Sequence, residues 1–98
     1  MSIDPEVTPL RPPEAKALAR RIANVGTIKF SGHAREEMSK DGLDASDCRN
    51  LVRAGVFEPA ELENGEWRYR VRTARMCIVV AFRSVDHLTV ITAWRVRP

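Results

Sequence analysis

Trp67-Arg68-Tyr69-Arg70-Val71-Arg72 alternates apolar and basic residues without a break, and alternation at period two marks a half-buried strand. Trp67, Tyr69 and Val71 are expected to face a core. Arg68, Arg70 and Arg72 then stand in a row on the opposite face, roughly 6.7 Å apart at the strand rise. Guanidiniums gathered this way repel one another. A polyanion supplies a reason to gather them, because the planar fork of arginine matches phosphate geometry. The rest of the chain reads as scaffold for this strand.

Downstream, Met76 to Phe82 is an unbroken apolar run, as a central strand covered on both faces requires. Ser84-Val85-Asp86 is a turn. His87 to Val96 is the last strand, with Leu88, Val90, Thr92, Trp94 and Val96 expected on one face and His87, Thr89, Ile91, Ala93 and Arg95 on the other. Upstream, Glu63-Asn64-Gly65-Glu66 contains Asn-Gly, the strongest short hairpin signal. Before it, Val56 to about Leu62 reads as a strand interrupted by Pro59, which places it at a sheet edge. Short turns between consecutive strands predict an antiparallel sheet of about four strands.

The N-terminal half has helical spacing instead. Residues 1–11 carry Pro5 and Pro9 without periodicity and are expected to be a loose arm, leaving 12–98 as the domain. Pro12-Pro13 open a helix whose apolar stripe is Ala15, Leu18, Ala19, Ile22 and Val25, ended by Gly26. Thr27-Ile28-Lys29-Phe30 is a short extended link. Ser31 caps a second helix over about 32–40, which Asp41-Gly42 ends. Asp44 caps a third, with Asp47 in its first turn and Ala45, Cys48, Leu51 and Val52 as its buried stripe, stopped by Gly55. The fold class expected is α+β, with N-terminal helices packed on one face of the sheet.

At 98 residues and 44% hydrophobic content the chain is one globular domain that buries a modest core without staples. No apolar run reaches a bilayer span and no charged-then-apolar leader opens it, so the expected location is cytoplasmic. Cys48 and Cys77 sit in apolar patterns and read as buried thiols. The two cysteines and two histidines fit no zinc spacing, and no cofactor is called for. Charge is divided along the chain. Residues 1–66 hold 9 Lys/Arg against 12 Asp/Glu, whereas 67–98 hold 7 Arg against the single acid Asp86. A basic C-terminal third suggests an anionic partner, nucleic acid first.

His33 falls in the first turn of its helix, where the dipole disfavours the imidazolium; a neutral imidazole is a candidate general base. The plain structural account is a helix-start histidine bonded to backbone or to Glu37. A metal-free ribonuclease needs a base for the 2′-hydroxyl, an acid for the leaving 5′-oxygen and cations for the charged phosphorane. His33 fits the first role and Arg68, Arg70, Arg72 and Arg95 the last. Thr89 or Thr92 offers a hydrogen bond to phosphate, although threonines in strands are ordinary strand formers. Tyr69 and Trp94 read as core before they read as base-stacking platforms, and His87 as an exposed turn residue. Glu36, Glu37 and Asp41 are a solvated helix face rather than a metal site.

Phe30-Ser31-Gly32-His33-Ala34 through Met38, the Asp44–Leu51 helix, Trp67 to Val71, and Val90-Ile91-Thr92-Ala93-Trp94-Arg95 together resemble a small bacterial family of domains of unknown function. Its signature is a His-Ala helix start, a Tyr-Arg strand and a closing Thr-x-x-Arg strand. That family is similar in helix–strand order to the barnase/EndoU/colicin/RelE superfamily of small metal-independent ribonucleases, which includes RelE-like and MqsR-like toxins. The likeness spans most of residues 14–96. It implies a RelE-like, RNA-cleaving toxin fold encoded beside an antitoxin, and it favours His33, Arg70, Thr92 and Arg95 as site residues. Many relatives carry arginine one turn after the histidine. Glu37 stands there in this chain, where it either orients His33 or marks a site that no longer cleaves.

Three readings follow from these residues. The first is an RNA-binding toxin domain that cleaves without metal, with a protein antitoxin over its arginine face. The second is a non-catalytic module using that face for nucleic acid or an acidic protein. The third is a structural protein whose arginines pair internally with acids of the N-terminal helices, such as Glu36, Glu37, Asp44 and Asp47.

Overall fold

In the computed structural model, which describes residues 4–97, the alternating stretch is strand β4 (Glu66–Arg72). Tyr69 and Val71 are fully buried, whereas Arg70 and Arg72 are exposed. The other elements are α1 (Pro12–Val25), β1 (Thr27–Phe30), α2 (Gly32–Asp41), α3 (Ala45–Ala54), β2 (Val56–Phe57), β3 (Glu61–Glu63), β5 (Met76–Ser84) and β6 (His87–Arg95). This is the expected α+β class.

The sheet is larger than expected, with six strands instead of about four, and it is mixed rather than wholly antiparallel. Its order is β1-β6-β5-β4-β2, with β3 also on β4. Strands β2 and β3 are the two halves of the edge strand read across Val56–Leu62. Val56 and Phe57 pair with Arg72 and Val71, Glu61–Glu63 pair with Arg68–Glu66, and Pro59 lies in the gap, where a residue without an N–H is tolerated. Thr27–Phe30 is not a link. It runs parallel to β6, from Thr27 opposite His87 to Phe30 opposite Val90. Asn64 and Gly65 both take positive φ (52° and 77°), the conformation a two-residue hairpin turn demands.

One face of the sheet carries the helices. Tyr69, Val71, Ile78, Val80, Phe82, Leu88, Val90 and Ala93 meet Ala15, Ala19 and Ile22 of α1, Ala34 and Met38 of α2, and Cys48, Leu51 and Val52 of α3 in one core. Tyr69 and Phe82 pack edge to face with centroids 5.3 Å apart, a geometry that adds about 0.5–1.5 kcal/mol beyond the buried area. Val25, expected in the stripe of α1, is 76% exposed, and Ala23 takes the buried position instead. Gly26 ends α1 in an extended conformation. A Cβ there would lie 2.4 Å from the Asp86 carbonyl oxygen, so this glycine admits the β5–β6 turn.

Residues 4–11 are less loose than expected. The Leu10 N–H donates to the Tyr69 hydroxyl at 2.7 Å, and the Trp67 indole N–H donates to the Val7 carbonyl at 3.2 Å. Residues 1–3 of the expected arm lie outside the described residues. Helix α2 is pinned at both ends along β6. At its start the Ser31 N–H donates to the Val90 carbonyl and the Ser31 hydroxyl donates to the Ile91 carbonyl at 2.8 Å. At its end Asp41 Oδ2 accepts the Arg95 N–H at 2.7 Å. Gly42, left-handed at φ 65°, closes the helix.

Candidate nucleic-acid interface

The uncovered face of the sheet is set by a β-bulge that the expected alternation of β6 does not contain. Val79 pairs with Thr92, but Val80 pairs with Val90, so Ile91 is an extra residue. A bulge re-aims the side chains that follow it. Leu88 and Val90 face the helices, and after Ile91 it is Ala93 that does so, fully buried. Thr92 and Trp94 thereby turn to the open face beside Thr89, away from Leu88 and Val90, with which strict alternation groups them. The residue whose carbonyl the Ser31 hydroxyl holds is Ile91 itself. Ser31 also accepts the Ala34 N–H at 3.0 Å, so one hydroxyl caps α2 and fixes the bulge.

Cross-strand register arranges the open face in rows. Arg70, Val79 and Thr92 form one row; Arg72, Cys77 and Trp94 form the next. On the other side Ala81, level with Arg68, is followed by Thr89 and then Lys29 of β1. Arginines thus line one flank, the small residues Cys77, Val79 and Ala81 the floor, and Thr89, Thr92 and Trp94 the other flank. Cys77 and Ala81 are covered, whereas Val79 is half-exposed. The floor therefore opens between Arg70 and Thr92.

The arginine row exists, but most of it is paired. Arg72 Nε lies 2.9 Å from Glu58 Oε2. Arg68 is held by Glu66 at 2.8 Å and Glu63 at 3.5 Å. Arg83 of β5 donates to the other oxygen of Glu66 and to the Thr89 hydroxyl at 3.3 Å. Folding therefore does supply a reason to gather these guanidiniums. The acids come from the β2–β3 edge and its hairpin, not from the N-terminal helices as the third reading expects. Burial alone would raise the Glu66 carboxyl, but hydrogen bonds from Arg83 and Arg68 outweigh it and hold the group below its ordinary value. Among the described residues Arg70 has no acidic partner, and it is exposed. The sequence carried a signal for this pairing. A two-residue Asn-Gly turn sets Glu63 opposite Glu66 and Glu61 opposite Arg68, all on one face.

The other candidates lie apart from the row. Arg95 follows Ala93 on the helix side and is committed to the end of α2, its Nε donating to the Asp41 carbonyl at 2.7 Å and its NH2 to the Gly42 carbonyl at 3.3 Å. His33 is exposed in the first turn of α2. Glu37 pairs with Lys40 at 3.3 Å, so the expected His33–Glu37 bond is not the one formed. His87 is half-buried instead of exposed, and its Nε2 is shielded with no hydrogen-bond partner among the described residues. Cys48 and Cys77 are buried free thiols, as expected. No group of three or more potential metal ligands converges among the described residues.

A small α+β domain whose sheet, among the described residues, carries helices on one face and an arginine without an acidic partner at the centre of the other is the class these features define. Residues 30–95 match the family described as Domain of unknown function (DUF4258). The match covers about two thirds of the chain, and the chain belongs to that family. It opens at Phe30 and closes at Arg95, taking in the Ser31–Ala34 helix start, β4 and the Ile91 bulge. No curated protein and no solved structure matches the chain. No helix among the described residues is long and apolar enough to cross a membrane.

Proposed function

We propose that this domain binds RNA on its open sheet face, as a toxin-type domain of the RelE-like kind. The observation that carries the reading is Arg70, an exposed guanidinium without an acidic partner, in line across the sheet with the Thr92 hydroxyl. A free guanidinium and a hydroxyl together are a phosphate-binding pair. Trp94, one row away, offers an aromatic surface for a base. The order of helices before strands supports the superfamily likeness. An antitoxin partner would satisfy Arg70 with a carboxylate and cover the same face.

The test is fluorescence anisotropy with a labelled 12-nucleotide mixed-sequence RNA over a salt series. Arg70→Ala should weaken binding about tenfold and flatten the salt slope by about 0.7, the value for one phosphate of a single strand. An unchanged slope overturns Arg70 as the contact, and no binding by the folded wild type leaves an acidic protein as the partner of this face.

Cleavage is the second reading, favoured by one placement. His33 projects from the first turn of α2, whose capping residue is bonded to Ile91, the neighbour of Thr92. There His33 would take the proton from a 2′-hydroxyl. The 2′-oxygen would bond to phosphorus, and the 5′-oxygen would leave with a proton from an acid, yielding a 2′,3′-cyclic phosphate. Incubating labelled RNA in EDTA with wild type and with His33→Ala tests this. Cyclic-phosphate ends lost in the variant are expected; no cleavage by wild type leaves the binding module.

A further inference from the structure

The acids of the β2–β3 edge stand on one flank of the arginine row only. Glu58 is at Arg72 and Glu63 at Arg68. Glu61 pairs in register with Arg68, is exposed, and makes no side-chain hydrogen bond or ion pair among the described residues. Arg68, Arg70, Glu61, Glu63 and Val79 share one shallow depression of about 30 Å³, room for a water and not for a base. The opposite flank, past Val79, carries Thr92 and Trp94, with Thr89 and then Lys29 of β1 beside them, and no acid among the described residues.

We infer that Glu58, Glu61 and Glu63 determine specificity, restricting the ligand to single-stranded RNA that lays one phosphate on Arg70 from the β5–β6 side. This rests on the RNA-binding reading of the same face. A phosphate that approaches over the edge meets carboxylates before it meets Arg70. A duplex presents a stiff rail with one charge per about 1.7 Å of axis. Laid along β4, that rail cannot skip the flanking ion pairs, which stand roughly 6.7 Å on either side of Arg70 at the strand rise. Its further phosphates fall on guanidiniums already occupied and on the acids that occupy them. A single strand is flexible. It crosses the sheet from Arg70 over Val79 to Thr92, turns its charge away from the edge, and frees a base to lie on Trp94.

The experiment compares a 12-nucleotide single strand with a 12-base-pair RNA duplex, by anisotropy over a salt series, for wild type, Glu61→Gln and the triple variant Glu58→Gln/Glu61→Gln/Glu63→Gln. Wild type should prefer the single strand by about tenfold or more, with a slope near that of one phosphate contact, about −0.7. The triple variant should bind the duplex about tenfold more tightly, with a duplex slope steeper by about one to two phosphates at about 0.9 each. Its single-strand affinity should rise less than its duplex affinity, so that the preference for the single strand narrows. Glu61→Gln, whose carboxylate holds nothing in the fold, should give part of the gain and decides the matter if the triple variant unfolds. Wild-type preference for duplex, or duplex affinity unmoved in both variants while the single strand still binds, overturns the inference alone. Binding of neither RNA by any folded form overturns the RNA reading and this inference with it.

Discussion

Glu66 carries the charge balance of the open face through two hydrogen bonds, one oxygen to Arg68 and the other to Arg83. Its carboxyl lies lower in the folded chain than the ordinary 4.5. A carboxyl depressed by folding stabilises fully above its unfolded value and loses that contribution as pH falls through the folded one. Urea midpoints should therefore decline below about pH 4.5, and Glu66→Gln should flatten that decline. Tyr69 poses a different case. Its ring is fully buried, and its hydroxyl accepts the Leu10 N–H. Tyr69→Phe leaves that N–H unpaired at a cost of about 1 kcal/mol, a melting temperature lower by about 4–8 °C for a domain of this size, and should speed protease cleavage of residues 4–11. Cys48 is pushed up to about 11 by burial, then by Asp47 and Asp44. Since the thiolate is the reactive form, iodoacetamide should label Cys48 slowly in the native protein and rapidly in urea.

Among the elements, α2 is where structure and candidate site meet. Ser31→Ala removes both the cap on Ala34 and the anchor on Ile91, a loss of about 1–2 kcal/mol, and should raise hydrogen exchange in the first turn of α2. Arg70 and Arg95 should separate cleanly. Arg95→Ala, which strips the donors from the last carbonyls of α2, should lower the urea midpoint and leave RNA affinity in place, whereas Arg70→Ala should do the reverse. Much of this level was legible in the sequence. The Asp44–Asp47 capping box, the Asn-Gly turn and the apolar-basic alternation of β4 each declare themselves within a few residues. The features that escaped depend on a distant partner. Four residues, Thr27–Phe30, alternate too briefly to announce a strand, and only β6 makes them one. The bulge at Ile91 breaks a period-two pattern without any glycine or proline to mark it, so Thr92 and Trp94 are assigned to the wrong face by strict alternation. The acids of the edge strand were visible, but their value as partners depended on the register.

At the scale of the molecule, the charge asymmetry along the chain is offset locally at the open face, where the edge at Glu58–Glu66 is folded against the basic strand. Steering of a polyanion from a distance is correspondingly weak, and binding falls to Arg70, the member of the β4 row without an acidic partner among the described residues. Strand β1 has a further consequence, in time. Thr27 finds His87 sixty positions later, and closing so long a loop is entropically costly and slow. The β4–β5–β6 meander, made of near neighbours, should assemble first, leaving the outer rim of β6 bare until β1 arrives. Ile28, half-buried opposite Leu88, reports on that final step. Ile28→Val should hasten unfolding in a stopped-flow chevron and leave the refolding limb unmoved, which would make β1 the last piece to dock and the first to peel away under load.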